Sequence, residues 1–565
     1  MRPPFQAPQP KLNKALISRL TILLTQAVEC QNKGDNESAK NLYQQVVKLQ
    51  PGNFECWHLL GIFEYQNQNY DEALKLFKKV VTINSRFAPV YSNIGLVLQD
   101  LKRHEEAVTS YDKAIELDPT LYAAYNNRGN ALKDLGNLDQ ALVSYLKALV
   151  YLPSYPEALY NLAEIFKLMH RWSESLDYYN RAIYAHPSYA EAYNNRGLLL
   201  QSLNRVDEAI ESFDQTIQIW PDYAPAHSNK SLALLLKGNY RQGWEEHEWR
   251  WRMKEFTSAQ RNFQQPQWVG QGLLGAANDA YSFSNSIPKD PNEVWVSSVK
   301  SSNDLQSKTI LIHCEQGIGD TLQFCRYVPF VLKAGAQVLF EVQEPVFSLM
   351  KQIVPDHCLI KQGGAIPPFD YHCPLISLPY ALRDTVGDIP VKQSYLRSEL
   401  KYTEKWSDKL GKKSKPRIGF VWSGNVYHHN DFFRSISLEI LLPYLLTLSQ
   451  YFQCIGLQKE LREGDQDILR KVPDWIDVSE SIESFEDTAA LCDLVDVIIT
   501  VDTSVAHLAG AMGRPTLLML PFAPDWRWLM DRADSPWYPS VKLYRQAAIS
   551  DWKSVLDPIV QELTH

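Results

Sequence analysis

TILIHCEQGIGDTLQFCRY, residues 309–327, decides the fold. Thr309 to Ile312 is an apolar run with β-branched residues, which predicts a buried strand. Gly317 and Gly319 break the run, and the apolar spacing of Leu322, Phe324 and Tyr327 predicts a following helix. Asp320 stands at the seam. A strand, a glycine-bearing turn and a helix make the first step of an open parallel sheet, which binds ligands beyond the carboxyl ends of its strands. A carboxylate there can serve chemistry rather than packing, and it is equally placed to cap the helix.

The alternation continues downstream. QVLFEV (337–342) predicts a second strand with a helix ending near Ile353, and YHCPLISLP (371–379) a third strand or loop. Lys-rich KYTEKWSDKLGKKSKP (401–416) has the composition of an interdomain linker. RIGFVWSG (417–424) opens a second series, continued by IGLQKE (455–460) and LVDVIITVDTSVAHLAGAMGRPTLLML (494–520). There LVDVIITV and PTLLML read as strands, and Asp502 caps the intervening helix through Thr503 and Ser504. The expected architecture is two Rossmann-like halves, 308–400 and 417–565, facing a cleft.

Upstream, a 34-residue period takes over. Pro51, Ser85, Pro119, Pro153, Pro187 and Pro221 keep it without slippage. So does a small-residue series, Ala39, Ala73, Ala107, Ala141, Ser175, Ala209 and Gly243, followed four positions on by Tyr43, Phe77, Tyr111, Tyr145, Tyr179, Phe213 and His247. A second small series runs Gly61, Gly95, Gly129, Ala163, Gly197 and Ser231. Small residues let the two helices of a hairpin approach, the aromatic is expected to fill the gap to the next hairpin, and proline ends the second helix. The pattern resembles tetratricopeptide repeats, about six copies over 18–221, and predicts an α-solenoid over 18–253. The seventh copy, GNYRQGWEEHEWRWR, is degenerate and reads as a docking cap.

Asn93, Asn127, Asn161, Asn195 and Asn229 form a further 34-residue ladder. An amide offers both donor and acceptor, so such a row suits gripping an extended peptide by its backbone. Hydrogen bonding within and between repeats is the other reading, and both stay open. The ladder is similar to one in eukaryotic protein O-GlcNAc transferases, where the resemblance implies acceptor polypeptide. Leu59 breaks the series in the second repeat.

Bulk properties bound the rest. At 565 residues two to four domains are expected, and 45% hydrophobic with 22% charged content is that of a soluble globular protein. A net charge of −8 opposes general nucleic-acid binding. ALISRLTILLTQAV (15–28) is interrupted by Arg19 and predicts a helix rather than a signal peptide, no run is long enough to span a membrane, and eight cysteines lack a CxxC. Cytoplasm is the default. Residues 1–17 are expected to be a disordered tail, and 254–307 a linker with a mobile Ser/Asn/Asp/Pro-rich loop, although Trp268 in QPQWVGQ argues for local order. His313–Cys314, His357–Cys358 and His372–Cys373 lie at no metal-ligand spacing and read as core; no metal or cofactor is expected.

EQGIGDTLQFCRY, VWSGNVYHHNDFFRSI, VDTSVAHLAGAMGRPT and DWRWLMDRADSPWYPSVKLYRQ, in that order, resemble the motifs of glycosyltransferase family 9, the heptosyltransferase family, most of all its branch fused to tetratricopeptide repeats. The resemblance spans about 240–565 and implies a GT-B fold with metal-independent, inverting transfer from a nucleotide-sugar. It implies Asp320 as base, Arg434 as neutraliser of the donor diphosphate, and Asp502 as the acidic residue of its turn. Thr503, Ser504 and Val505 open a helix suited to phosphate, and His507 one turn in is placed to donate to the same oxygens. For His507 the other reading is a core histidine, and for Arg434 a surface arginine. The family often has Gly where Ser504 stands, which narrows the turn. Gly424 and Asn425 shape the adjoining loop, Gln458 and Lys459 are possible nucleotide contacts, and Asp525, Trp526 and Trp528 read as structural. The expected function is sugar transfer to an acceptor on the repeats, a polypeptide first. The alternatives are an inactive scaffold for partner proteins, or a transferase acting on a saccharide or lipid-linked glycan.

Overall fold

The computed structural model describes residues 14–254, 256, 261–270, 305–315, 317–382, 389, 394–427 and 430–565. Most of the expected N-terminal tail, and most of the expected mobile loop at 276–308, lie outside the described residues. Helix α1 opens at Lys14, so residues 14–17 of the expected tail are helical.

Among the described residues, fourteen helices follow one another as seven consecutive pairs. These are α1 (Lys14–Asn32) with α2 (Asn36–Leu49), α3 (Phe54–Gln66) with α4 (Tyr70–Ile83), α5 (Ala88–Asp100) with α6 (His104–Leu117), and α7 (Tyr122–Asp134) with α8 (Leu138–Tyr151). There follow α9 (Pro156–Leu168) with α10 (Trp172–Ala185), α11 (Ala190–Ser202) with α12 (Val206–Ile219), and α13 (Ala224–Leu236) with α14 (Tyr240–His247). The period has a local cause. A methyl group on Gly61 would lie 2.4 Å from the Phe77 ring; on Gly95, 2.6 Å from Tyr111; on Gly129, 2.5 Å from Tyr145. Phe77, Tyr111 and Tyr145 therefore fill space over the glycine of their own hairpin, a correction there to the expectation that the ring bridges to the next. Each consecutive pair is also joined through one left-handed residue: Gly34, Gln68, Lys102, Gly136, His170, Asn204 and Gly238, again 34 apart.

The chain divides into two compact units, 1–199 and 200–565. In the second, the degenerate hairpin is built into the α/β region. Trp244 of α14 packs edge-on against Trp526 at 5.2 Å and Phe324 at 5.9 Å, and Tyr240 stacks on Trp537 at 5.9 Å.

The α/β region holds two wholly parallel sheets. The first contains β1 (Thr309–His313), β2 (Gln337–Val342), β3 (Leu359–Lys361) and β4 (Tyr371–Pro374) in the order β3-β2-β1-β4. Between them lie α15 (Ile318–Phe324), α16 (Val328–Lys333) and α17 (Phe347–Met350), with α18 (Leu378–Ala381) after β4. Residues 266–268 run along β4: Trp268 N–H donates to the His372 carbonyl at 2.8 Å and His372 N–H to that of Pro266 at 3.2 Å.

The stretch 401–416 is no irregular linker. It carries α19 (Leu400–Leu410), whose Trp406 is buried and donates through Nε1 to Asp487 at 2.7 Å; an indole of that size folds the segment onto its neighbour. The second sheet holds β5 (Arg417–Val421), β6 (Gln453–Gly456), β7 (Ile476–Asp477), β8 (Val497–Val501), β9 (Thr516–Leu520) and β10 (Val541–Arg545), ordered β10-β9-β8-β5-β6-β7. Its helices are α20 (Asp431–Arg434), α21 (Leu438–Leu448), α22 (Asp465–Leu469), α23 (Phe485–Leu494), α24 (Ser504–Ala511) and α25 (Lys553–Thr564). This is the doubly wound strand order, whose direction reverses between β5 and β8. In the first sheet the reversal falls between β1 and β4. Strands β3, β7 and β10, short or late in the chain, extend both sheets beyond the strands the sequence predicts.

Candidate active site

Both reversal points carry the residues singled out in the sequence. After β1, Gly317 caps α15 and Asp320 occupies its first turn. Asp320 accepts the Gly317 N–H on Oδ2 at 3.1 Å and an Arg527 Nη2 hydrogen bond on Oδ1. Asp320 is thus not the N-cap itself: it stands at the third helical position and ties back to the capping Gly317 with one oxygen, while each oxygen keeps a lone pair for another partner.

After β5, the chain runs through Gly424 and Asn425. A Cβ on Gly424 would fall 2.5 Å from Arg434 Nη2, so the missing side chain is what lets the guanidinium lie against this turn. Arg434 Nη1 donates to the Asp502 carbonyl at 3.1 Å, which joins the β5 and β8 loops, and its buried Nε has no hydrogen-bond partner among the described residues. Arg434 is therefore no free surface arginine. Asn425 Oδ1 accepts from Tyr427 N–H at 3.0 Å and shapes the loop. Gln458 is spent on that loop: it accepts from Ser423 N–H and donates to the Ser423 and Glu460 carbonyls, leaving no amide for a nucleotide. Lys459 is exposed.

After β8, Thr503 is the N-cap of α24, so the capping residue is Thr503 and not Asp502. Ser504 and Val505 stand at the first two positions of the first turn, where helix geometry gives an N–H no acceptor four residues back within the helix, and the next N–H, of Ala506, donates to the Thr503 carbonyl at 3.0 Å. Asp502 is half-buried; burial first, then the charge of Asp525, pushes its carboxyl up to about 6. His507 is buried, accepts or donates through Nδ1 with the Tyr538 hydroxyl at 2.9 Å, and stacks on Trp528 at 5.4 Å. Burial, then the charges of Arg527 and Arg326, holds its pKa well below the usual histidine range. Its surroundings are those of a core histidine, and the guanidinium that lies against this turn's backbone is that of Arg434.

The two turns meet. A methyl group on Gly319 would lie 3.0 Å from His507 Cδ2 and 3.7 Å from Ser504 Cα, so α15 and α24 cross in contact. The residues that sequence reading missed sit at this crossing. Arg527 joins Asp320, Gln323 and Asp525; Arg462 pairs with Asp431 beside Arg434. The one signal for Arg527 is a charged residue between Trp526 and Trp528, both buried.

The asparagine ladder is used internally. Asn161 is buried and donates to Asn126 at 2.9 Å, Asn93 pairs with His58 at 2.7 Å, and Asn195 donates to Tyr160 at 2.6 Å, each thirty-five residues back. Asn127 accepts from Asn126 at 3.3 Å, and Asn229 has a partner of its own. At Asn93, Asn161 and Asn195 the bond runs between repeats, to the residue just before the preceding ladder position. Among the histidine–cysteine pairs, His313 and His372 are buried and meet at 3.3 Å, whereas His357 is exposed and not core.

Tetratricopeptide-repeat models match residues 24–89, 157–189 and 190–223, and TPR-repeat models match 100–136 and 129–169. Residues 24–223 are accordingly a tetratricopeptide-repeat solenoid, followed by an α/β region with two parallel sheets. Protein FlbA of Caulobacter vibrioides is similar, 24% identical over 321 residues, 52% of either chain, so the chain spans about half the length of that curated relative. Among solved structures, PilW, a widely conserved type IV pilus biogenesis factor, is 21% identical over 38% of this chain and 99% of its own, with a TM-score of 0.35. YrrB, a TPR protein with an unusual peptide-binding site, is 26% identical over 31% of this chain and 89% of its own, with a TM-score of 0.27.

Proposed function

We propose that the α/β region is a GT-B glycosyltransferase of the heptosyltransferase-like kind, moving a sugar from a nucleoside-diphosphate donor to an acceptor brought by the repeats. The observation that carries this reading is the contact of Gly319 with His507 and Ser504, which sets Asp320 of one sheet beside the helix start of the other. A base and an anion-binding turn within one crossing are what inverting transfer needs.

In this scheme the acceptor hydroxyl gives its proton to Asp320, and its oxygen forms the new bond to the anomeric carbon. The bond from that carbon to the diphosphate oxygen breaks, and its electron pair leaves with the nucleoside diphosphate. Arg434 neutralises the growing charge, the Ser504 and Val505 N–H groups donate to the phosphate oxygens, and Thr503 and Asp502 fix the turn. His507 supports the turn and offers at most a neutral donor. A polypeptide acceptor is favoured by the repeat array itself, which suits protein partners, rather than by its asparagines.

The test is release of nucleoside diphosphate from UDP-, GDP- and ADP-sugars by the full chain, with Asp320→Asn beside it. The reading expects turnover of one donor class and a loss of about 10²–10⁴-fold in Asp320→Asn. Equal rates in both proteins would overturn the assignment.

A further inference from the structure

Arg527 is the residue of the crossing that no reading above explains. Its side chain is 14% exposed. Withdrawing a guanidinium from water is costly unless every donor finds an acceptor of good geometry. Here Nε donates to Gln323 Oε1 at 2.7 Å, Nη1 to Asp525 Oδ1 at 2.9 Å and Nη2 to Asp320 Oδ1, while the plane lies 4.3 Å over Trp526. Two of the three acceptors belong to α15, in the other half of the α/β region. Asp525 in turn accepts the Arg527 backbone N–H at 3.0 Å, so the arginine is braced from its own side before it reaches across.

The division of labour on Asp320 is specific. Oδ2 takes the helix-start N–H of Gly317 and Oδ1 takes Arg527, so neither carboxylate oxygen is free to swing. A carboxylate that takes a proton from a bound hydroxyl needs that restraint, because a displacement of about 1 Å costs as much as 10²-fold in rate. We propose that Arg527 is the positioning residue of the candidate base: it clamps Asp320 in the orientation in which its remaining lone pairs meet the acceptor. This rests on the transferase reading. Arg527 acts through Asp320 and is not assigned contact with substrate. A planar fork makes the three bonds together, whereas the single ammonium of lysine does not.

Two measurements on the full chain test this. In the first, carboxyls are labelled with a water-soluble carbodiimide and glycinamide and read by peptide mass spectrometry. Labelling of Asp320 is expected to be at least about tenfold faster in Arg527→Gln than in wild type, and intermediate in Arg527→Lys, with exposed Asp177 as the unchanged control. Equal Asp320 labelling in all three overturns the proposal. So does failure of both variants to melt cooperatively, which would make Arg527 a residue of the fold alone.

In the second, on the donor that wild type turns over, Arg527→Gln is expected to lose about 100-fold in kcat with KM within about threefold. The Asp320→Asn/Arg527→Gln double variant is expected to be no slower than Asp320→Asn alone, because both changes remove one function. Losses that multiply overturn the proposal. Absence of turnover with every donor counts against the transferase, and the labelling result then decides by itself whether Arg527 holds Asp320.

Discussion

Gly319 lies against His507, with room for a methyl group only 3.0 Å from the imidazole Cδ2. The two helix starts that flank the candidate chemistry are held at this separation by the absence of one side chain. Gly319→Ala forces them apart in a packed site where His507 is itself pinned by Tyr538 and Trp528. The expected cost is about 1–3 kcal/mol of stability, read by denaturant unfolding, with a larger proportional loss of turnover.

Gly424 makes the matching prediction for the donor side. A Cβ there meets Arg434 Nη2 at 2.5 Å, so Gly424→Ala displaces the guanidinium without touching the turn's own hydrogen bonds. Gly424→Ala and Arg434→Ala are each expected to weaken nucleoside-diphosphate binding by about tenfold or more, and the double variant by little further. Calorimetric titration checks it.

Asp502 carries a pH signature. Its carboxyl is held up to about 6, mainly by burial and then by Asp525. A folded-state pKa above the unfolded one means that the native state binds the proton more tightly. The stabilisation that protonation provides is full below about pH 4 and is lost as pH rises through about 6. Asp502→Asn removes the titrating group. Its melting temperature is expected to exceed that of wild type at pH 7.5, by the equivalent of about 1–3 kcal/mol, and to converge on it near pH 4.

In the repeats, Gln68 and Lys102 hold the left-handed turn position at φ 61° and 60°, where Gly34 and Gly136 stand in other hairpins. A side chain at that φ strains the backbone. Gln68→Gly and Lys102→Gly are each expected to stabilise by about 0.5–1 kcal/mol, and Gly136→Ala to destabilise by about 1 kcal/mol, in thermal unfolding.

The same residues show what was legible. The period of 34 and the strand–turn–helix at 309–327 led to the solenoid and both parallel sheets, because spacing and periodicity are local properties. Which ring covers Gly61 is a three-dimensional choice between two hairpins, and one period fits both. Gln458 and Asn161 have intramolecular partners that the sequence does not reveal for a related reason: an amide's chemistry suits a ligand and a protein group equally, and only coordinates show which partner it has. Arg527 stayed invisible because its partners Asp320 and Gln323 lie some two hundred residues away in sequence. Lys-rich 401–416 has a linker's composition because solvent-facing lysines dominate it, while Trp406 and Leu410 are the apolar side chains that bury its helix.

The most direct measurement is thermal unfolding of the full chain against UDP, GDP and ADP, with Arg434→Ala in parallel. The account predicts that one of them stabilises wild type, by about 2.7 kcal/mol at a hundredfold over Kd, and that Arg434→Ala loses the effect. No stabilisation of wild type by any of the three would contradict it.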